Sequence, residues 1–455
     1  MHRTVVINVV GLTRSLLGEH TPNLNKLLEQ STDIEPVTPA VTCSAQATYL
    51  TGKPPREHGI VGNGWYFREM NEVWLWRQSN QLIQSPKVWH MARERDPAFT
   101  CSNTFWWYAM ATDADYTLTP RPLYLADGRK MPDCYTCPLE LRETLSEKLG
   151  TFPLFHFWGP ATTIKSSQWI ADAAKYIEDT HKPSLQLVYL PHMDYVLQRE
   201  GPDGDIGGDL EQIDALVGDL LEYFQARDCR VMVLSEYGIQ NVRRALHPNR
   251  MLRDAGLLSL KVDLGKEYLD FFSCRAFAVA DHQIAHIYIH NPEDIPAVRK
   301  IFEGVPGIHR VLDKTEQADI GLDHERSGEL VLLAEPDTWF TYYYWQDDDR
   351  KPDYAHTVEI HKKPGYDPCE LFLDPRLKFP KLKVIRRLAQ KKLGFRYILD
   401  VIAVEPDLVK GSHGVSDGSP ESTPILMSTE PALLPKNKVP ATDICDLMLK
   451  HLFDE

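Results

Sequence analysis

The sequence of 455 residues lacks the features that mark membrane-spanning and secreted proteins. No apolar run is long enough to cross a bilayer. The N-terminus does not have the pattern of a signal peptide, because its apolar run, Val5 to Leu12, follows only His2 and Arg3 and is interrupted by Asn8 and Gly11. We therefore expect a cytoplasmic protein.

An excess of positive charge and a second cysteine pair are also missing. The chain has 50 Lys and Arg residues against 64 Asp and Glu residues, a net charge of -14, which argues against a nucleic-acid partner. Among the eight cysteines only Cys134 and Cys137 form a C-x-x-C pair, in a Pro-flanked segment that resembles a loop. One such pair indicates zinc only weakly, so we expect reduced thiols. The composition, 43% hydrophobic and 25% charged, is that of a folded globular protein.

Strand and helix patterns alternate along the chain. Thr4 to Leu12 predicts a strand, and Thr21 to Gln30 predicts a helix with a Thr cap and Pro at its first position. A helical pattern at Ser166 to Thr180 precedes the apolar strand Ser184 to Leu190, and a second helical pattern precedes the apolar segment CRVMVLSEYG. This alternation predicts an α/β fold with a doubly wound, mostly parallel sheet flanked by helices.

Two regions differ in composition from this core. We predict one domain over residues 1–455, with an aromatic-rich insert or cap at 65–150 and a second inserted region at 271–400. The second region contains a basic segment, residues 376–396, with interleaved apolar residues and no acidic residue. Such a segment is typical of an amphipathic helix that contacts an anionic membrane or attracts a phosphorylated ligand. An ordinary solvated helix face is the alternative.

Ligands of open α/β sheets bind beyond the carboxyl ends of the strands. The residues that directly follow apolar runs in this chain are Gly11, Asp194, Glu236 and Tyr237, with the segment around Thr42 nearby. We expect the functional site among them.

These residues lie in motifs that occur in a fixed order. The motifs are T-P-N-L at Thr21, the segment around Thr42, T-G-K-P-P-R-E-H-G-I-V-G-N-G-W-Y, F-W-W-Y, Y-L-P-H-M-D, V-L-S-E-Y-G and K-G-S-H-G. In this series the chain resembles the alkaline phosphatase superfamily, in particular its nucleotide pyrophosphatase/phosphodiesterase branch. It is similar to an alkaline-phosphatase-like protein of a bacterial gene cluster that also encodes a membrane prenyltransferase.

The resemblance implies a phosphoester hydrolase in which two metal ions, usually zinc, clamp a phosphoryl group while a Thr or Ser attacks phosphorus. Thr42 falls at the position of the nucleophile. Without the matching segment, a turn Thr that bonds to its own backbone would be the simpler interpretation.

Several metal-ligand positions implied by the resemblance are substituted. The first site maps to Asp194, Gln198 and His413, and the second to Val10, Thr42, Glu236 and Tyr237. Valine cannot bind a metal, a Gln carbonyl is a weak ligand, and a neutral Tyr is a poor one. Two carboxylates and one imidazole are too few for two divalent cations in close proximity. We expect at most one divalent metal, zinc or another.

Further residues are assigned to substrate contact through the same resemblance. The segment after Thr42 has Ala45 where relatives place an Asn, so Ser44 or Gln46 is the candidate replacement. Cys43 is an alternative nucleophile, although a buried thiol is the simpler interpretation. The remaining candidates for substrate contact are Asn63, Trp65, Tyr66, Trp106, Trp107 and Tyr237. For Trp106 and Trp107, a place in the core and a place in a pocket are equally consistent with the sequence.

Three functions remain open at this point. The first is a phosphoester-processing hydrolase or transferase with a depleted site and Thr42 as nucleophile. The second is a pseudoenzyme that binds an anionic or lipid-linked phosphate or a partner protein. The third is an active two-zinc nucleotide phosphodiesterase. The expected partner is a phosphoester or lipid-linked phosphate, with a peripheral contact at an anionic membrane surface.

Overall fold

The computed structural model describes residues 1–126, 129–395 and 398–454. Its strands are β1 (Thr4–Val9), β2 (Ser31–Glu35), β3 (Gly64–Phe67), β4 (Glu72–Leu75), β5 (Cys101–Thr104), β6 (Tyr116–Pro120), β7 (Leu123–Tyr124), β8 (Lys130–Met131), β9 (Cys134–Cys137), β10 (Leu185–Leu190), β11 (Arg230–Leu234), β12 (Gln240–Asn241), β13 (Arg244–Leu246), β14 (Leu260–Asp263), β15 (Lys266–Leu269), β16 (Ala276–Asp281), β17 (Ile284–Ile289), β18 (Ile308–Leu312), β19 (Leu330–Ala334), β20 (Thr338–Phe340), β21 (Gly411–Ser412), β22 (Ile425–Ser428) and β23 (Val439–Pro440).

The α-helices follow the same chain order. They are α1 (Thr42–Thr51), α2 (Pro55–His58), α3 (Val88–Arg95), α4 (Glu140–Leu149), α5 (Leu154–Phe157), α6 (Lys165–His181), α7 (His192–Glu200), α8 (Gly207–Gln225), α9 (Pro248–Asp254), α10 (Ile295–Phe302), α11 (Lys314–Asp319), α12 (Pro380–Lys392) and α13 (Ile444–Phe453).

The central sheet has nine strands in the described part of the chain, in the order β23-β2-β22-β11-β1-β10-β5-β6-β9. Strand β1 lies between β10 and β11 and is parallel to both. All six residues of β1 and all six of β10 are buried, as expected for parallel strands covered on both faces. Helix α6 packs on β10, α8 packs on β11, and α13 contacts β1. The predicted doubly wound, mostly parallel α/β fold is confirmed.

Most predicted elements near the sheet match the structure, and two differ. The predicted helix at residues 21–30 is a 3-10 helix at Leu24–Gln30. Its first backbone N–H groups, those of Asn23 and Leu24, donate to the carboxylate of Asp214 in α8, a long-range contact that the local pattern does not contain. Cys134 and Cys137, expected in a loop, form the ends of strand β9. Both thiols are free.

The region at 65–150, expected to be an insert, contributes to the central sheet. Strands β5, β6 and β9 belong to that sheet, and β5 pairs directly with β10. The hairpin of β3 and β4 lies outside it, and residues 127–128 fall outside the described part of the chain. The aromatic and proline content of this region therefore did not distinguish strands of the central sheet from an inserted segment.

A second sheet of four strands lies within the other predicted addition, residues 271–400. Its order is β16-β17-β19-β18, with every pair antiparallel. The basic segment of the same region forms helix α12 over Pro380–Lys392, whereas its last residue, Arg396, lies outside the described residues. In the described part of the chain, no helix is both long and apolar enough to cross a membrane.

Candidate active site

Polar side chains meet at the carboxyl edge of the central sheet. Helix α1 begins at Thr42, Asp194 lies in the first turn of α7 directly after β10, and Tyr237 follows β11 by three residues. Because β10, β1 and β11 are adjacent and parallel, these segments leave the sheet at one edge. Val10 follows β1 at this edge with a buried aliphatic side chain.

Thr42, Tyr237 and Asp194 form a line of hydrogen-bonding groups. The Thr42 Oγ1 atom lies 2.9 Å from the Tyr237 hydroxyl oxygen. The Tyr237 hydroxyl donates to Asp194 Oδ1 over 3.3 Å. The second oxygen of Asp194 accepts a 2.9 Å hydrogen bond from the Gln198 side-chain amide, one helical turn further along α7. Asp194 is thus linked through one phenol to the candidate nucleophile.

Four stacked rings hold this line in place. The rings belong to Tyr237, His413, His282 and Tyr366, and their successive centroids are 3.6, 3.7 and 3.8 Å apart. The Tyr366 hydroxyl donates to Gln198 Oε1 at 2.9 Å, and the side-chain amide of Gln198 donates in turn to Asp194. The closed arrangement of stacking and hydrogen bonds leaves the Tyr237 hydroxyl little freedom to turn away.

Burial shapes the electrostatics of the two carboxyl groups. Burial raises the pKa of Asp194 to about 7, although its hydrogen bonds from Gln198 and Tyr237 act in the opposite direction. Burial likewise raises the pKa of Glu236 to about 8. The Glu236 Oε1 atom accepts hydrogen bonds from the side-chain amides of Asn8 and Gln46. Both carboxyl groups are therefore held by neutral amide donors.

His413 is a neutral imidazole at the same edge. Burial lowers its pKa to about 3, and its Nδ1 donates to the Ala40 carbonyl at 2.8 Å. This hydrogen bond places the lone pair on Nε2, which lies 3.9 Å from Asp194 Oδ1. The lone pair of His413 therefore lies beside the Asp194 oxygen that also accepts from Tyr237.

The residues present do not fit two divalent cations. At the second implied metal position, Val10 has no donor atom, Tyr237 is a neutral phenol whose pKa burial raises, and Glu236 is held by two amide groups. At the first, Gln198 presents an N–H group to Asp194 in place of a ligand atom. Among the residues described, no group of three or more His, Cys, Asp or Glu side chains is arranged to hold a metal.

The first turn of α1 is anchored by a network beneath Thr42. The Cys43 backbone N–H donates to Asn63 Oδ1 at 3.0 Å, and the Asn63 side-chain amide donates to Asp281 at 3.0 Å. Asn63, a candidate for substrate contact, therefore has its side chain engaged in holding the helix start. Burial raises the pKa of the Cys43 thiol well above its usual value, which favours an inert buried thiol over a nucleophile.

The other candidates for substrate contact are placed in different surroundings. Gln46 bridges Glu236 and the backbone N–H of Trp107, and both bridging groups are buried. Trp107 lines the cavity described below, whereas Trp106 is fully buried in the main core. Trp65 and Tyr66 are buried in two satellite clusters, where Trp65 stacks on Phe67 and Tyr66 packs against Phe277 and Tyr288. Their roles in substrate contact stay predictions.

A cavity of about 830 Å³ opens above the site. Thr42, Asp194 and Tyr237 lie in its wall. Its wall also contains residues that the sequence did not assign to substrate contact, among them Trp76, Trp158, Tyr366, Val384, Ile385 and Leu388. The last three lie in the basic segment at 376–396, and Tyr366 follows a P-G turn. A Cβ at Gly365 would come within 2.7 Å of the Tyr342 side chain, so glycine permits the close packing of this turn.

Comparison with known proteins finds a matching family model and a curated relative. The family model described as type I phosphodiesterase/nucleotide pyrophosphatase matches residues 4–367. An uncharacterized pyrophosphatase/phosphodiesterase of Schizosaccharomyces pombe is 22% identical over 244 residues, which are 52% of this chain and 44% of that protein. The chain thus spans less than half the length of this curated relative.

Solved structures with the same fold cover almost the entire chain. Murine ectonucleotide pyrophosphatase/phosphodiesterase 5, as an inactive variant in complex with AMP, superposes with a TM-score of 0.61 at 14% identity, covering 99% of this chain and 95% of that one. Phosphonoacetate hydrolase from Sinorhizobium meliloti, in complex with phosphonoformate, gives a TM-score of 0.61 at 12% identity, with 99% and 96% coverage. At these identities the likeness shows the fold alone.

Proposed function

Because the chain belongs to the type I phosphodiesterase/nucleotide pyrophosphatase family, we propose that it processes phosphoesters, as a hydrolase or transferase, with Thr42 as the nucleophile and without a pair of divalent cations. The observation that carries this proposal is the line from Thr42 through Tyr237 to Asp194 at the wall of the cavity. A nucleophile, a proton carrier and an acceptor are within reach of one another there.

The geometry supports a route for the proton of Thr42. As Thr42 Oγ1 forms a bond to phosphorus, its proton passes to the Tyr237 oxygen while the Tyr237 proton passes to Asp194. The bond from phosphorus to the leaving oxygen breaks, and that oxygen takes a proton from water. In the second half, water attacks phosphorus and releases a proton to solvent, while Asp194 returns its proton through Tyr237 to the departing Thr42 oxygen. An acceptor hydroxyl in place of water gives the transferase reaction.

The start of α1 supports the developing negative charge. Thr42 is the first residue of this ten-residue helix, so the phosphoryl group bonded to it lies at the positive end of the helix dipole. Asn63 and Asp281 fix the first turn through the Cys43 N–H group. The lack of a second cation leaves less stabilisation of the transition state, so we expect generic aryl phosphodiesters to react more slowly than the roughly 10 per second typical of enzymes.

A second candidate is a pseudoenzyme that binds a phosphoester without converting it. The second implied metal position favours this alternative, because Val10 has no donor atom there, Tyr237 is a neutral phenol, and one of the two oxygens of Glu236 is held by the amides of Asn8 and Gln46. In either case the proposed ligand is a small phosphoester, soluble or lipid-linked. AMP and phosphonoformate, bound in the two structural relatives, are anions of the same chemistry.

The two candidates differ in what happens to Thr42. The protein is incubated with an excess of a 4-nitrophenyl phosphodiester, quenched in acid and digested, and the peptide that contains Thr42 is examined by mass spectrometry. A phosphoryl adduct in the parent and in Thr42→Ser, absent in Thr42→Ala, supports the nucleophile. Turnover that survives unchanged in Thr42→Ala contradicts it. Binding of a non-hydrolysable phosphonate without any adduct or turnover supports the pseudoenzyme.

A further inference from the structure

Helix α12 forms part of the cavity wall. Val384, Ile385 and Leu388 of this helix line the same cavity as Thr42 and Tyr237. The helix lies beyond residue 367, where the match to the family model ends, so this part of the wall is outside the portion that the chain shares with that model.

The wall between α12 and the candidate nucleophile is largely apolar. Its aromatic and aliphatic members include Trp76, Trp107, Leu154, Phe157, Trp158 and Ile402. The cavity, about 830 Å³, lies toward the upper end of the range of roughly 300–1,000 Å³ found for small-molecule sites. A phosphoryl group at Thr42 would fill a small part of this space. The lining also includes charged side chains, which are those of Arg77, Arg121, Lys130, Asp353, Glu359 and Lys362.

Helix α12 is held on the protein mainly by charge. Lys383 and Arg387, one turn apart, both pair with Asp400, at 3.0 and 2.9 Å. No described residue of the helix is buried. Ile385 and Leu388 line the cavity and still remain 62% and 47% exposed, so the cavity is open to solvent beneath the helix. The rest of the described protein thus covers these two side chains only in part.

The opposite face of α12 is exposed and mixes apolar with basic residues. Leu382 and Arg386 are one turn apart on that face, away from Val384 and Leu388 on the cavity side. Leu382 is 63% exposed and Arg386 is exposed as well, and Leu393, directly after the last residue of the helix, is 73% exposed. Phe379 and Phe395, beyond the two ends of the helix, are 72% and 64% exposed. Exposed apolar residues next to cations complement an anionic lipid surface, even in a chain with net charge -14.

Exposed apolar residues from outside α12 also belong to the cavity lining. Tyr124 and Phe155 line the cavity and are 54% and 44% exposed, and Leu123 and Leu125 beside Tyr124 are 49% and 36% exposed. An open apolar cavity with apolar residues at its mouth is suited to a ligand that leaves a hydrophobic phase.

From these observations we infer that the cavity binds the apolar chain of an amphiphilic phosphoester, which enters beneath α12 from an anionic lipid surface on which the outer face of the helix rests. The inference rests on the proposed function for the position of the phosphate, near Thr42. The apolar chain extends from there along Trp107 and Trp158 to Ile385 and Leu388.

The chain site is tested by binding, so that the result does not depend on catalysis. Methyl, butyl and octyl phosphate, each below the concentration at which it forms micelles, are titrated into the protein by calorimetry. We expect affinity to rise roughly four-fold for each added methylene that the cavity buries. Ile385→Ser with Leu388→Ser should flatten this rise. Equal affinities for the three phosphates in the parent protein would overturn the chain site.

The lipid surface is tested with a matched variant on the outer face of the same helix. The double variant Leu382→Ser with Leu393→Ser removes two large aliphatic side chains, as the cavity-side variant does. It should leave the rise of affinity with the length of the alkyl phosphate unchanged. In flotation with vesicles of phosphatidylglycerol and phosphatidylcholine at low salt, the parent and the cavity-side variant should bind and this outer-face variant should not. Failure of the parent to bind, or equal binding to vesicles of phosphatidylcholine alone, would overturn the anionic lipid surface. Circular dichroism confirms that both variants are folded.

The same series in Thr42→Ala separates this inference from the proposed function. If affinity still rises with alkyl length in Thr42→Ala, the chain site is supported. If turnover in Thr42→Ala equals that of the parent, Thr42 is not the nucleophile. A flat series in a parent protein that forms the Thr42 adduct would refute the chain site and leave the proposed function intact.

Discussion

The phenol ring of Tyr237 lies parallel to the imidazole ring of His413, with centroids 3.6 Å apart and an angle of 5° between the planes. The resemblance to two-metal hydrolases implies a metal ligand at each of these positions, but here the rings face each other in direct contact. Stacking fixes the Tyr237 hydroxyl between Thr42 and Asp194. Hydrogen bonds and stacking thus link side chains at positions where that resemblance implies metal ligands.

Tyr237→Phe tests whether the hydroxyl carries the proton. Phenylalanine keeps the ring stacked on His413 but removes both hydrogen bonds of the hydroxyl. We expect thermal stability to change little and phosphoester turnover to fall by roughly 10²-fold or more, the usual contribution of positioned proton transfer. Calorimetric binding of a phosphonate should remain within a few-fold of the parent. Turnover equal to that of the parent would show that the proton of Thr42 leaves by another route.

The wall of the cavity is supported by a buried ion cluster. Lys363 pairs with Asp367 at 2.7 Å and with Glu370 at 2.8 Å, and all three side chains are at most 2% exposed. Lys363→Met should lower the free energy of unfolding by about 3–5 kcal/mol, because it leaves two buried carboxylates without a cation. Urea denaturation measures this change.

A matched control for the ion cluster is Lys53→Met. Lys53 also pairs with an acidic residue four positions away, Glu57, but both side chains are 48% exposed. Its removal should cost no more than about 1 kcal/mol. If Lys363→Met and Lys53→Met had equal effects on the urea midpoint, the buried cluster would not be important for the stability of the wall.

Asp281 gives a pH-dependent contribution to stability. Burial raises its pKa to about 6, and its carboxylate accepts from the backbone N–H and side-chain amide of Asn63. The neighbours whose charge it would affect, Cys43, Tyr108 and Tyr366, stay neutral in this range because burial raises their pKa values well above normal.

The sign of this effect follows from proton binding. Between about pH 4 and pH 6 the folded protein keeps the Asp281 proton that the unfolded chain has lost, so the free energy of unfolding falls as pH rises through that window. Relative to Asp281→Asn, we expect the free energy of unfolding of the parent to fall by about 3 kcal/mol across this pH window, because the pKa shift is roughly two units. Urea unfolding of both proteins at pH 4, 5, 6 and 7 measures the difference. Parallel pH profiles would contradict the raised pKa.

The sequence was sufficient to predict the sheet and that the residues after its strands come together at one edge. Apolar runs at β1, β10 and β11 are long and uninterrupted, and the residues that follow two of them, Asp194 and Tyr237, contact each other as the sheet geometry requires. Thr42 reaches the same place through the start of α1.

Side-chain partners across the chain could not be predicted in the same way. Tyr366 and His282 join the site through ring contacts between segments more than 80 residues apart, which no local pattern encodes. The basic pattern of α12 correctly predicted a helix, but only packing shows that Val384 and Leu388 face the cavity. The pairing of β5 with β10 likewise depends on a long-range contact, so the region at 65–150 was expected to be an addition.

The metal content of the protein tests the central claim most directly. Protein purified without chelator, equilibrated with excess zinc and freed of unbound metal by gel filtration, is analysed by mass spectrometry of the elements. We predict at most one zinc per chain, since Val10 and neutral Tyr237 supply no good ligand at the second implied metal position and Gln198 turns an N–H group toward Asp194 at the first. Val10→Asp, Gln198→His, Glu236→Asp and Tyr237→His, introduced together as a positive control, should raise the content. Two zinc ions per chain in the unmodified protein would contradict the account.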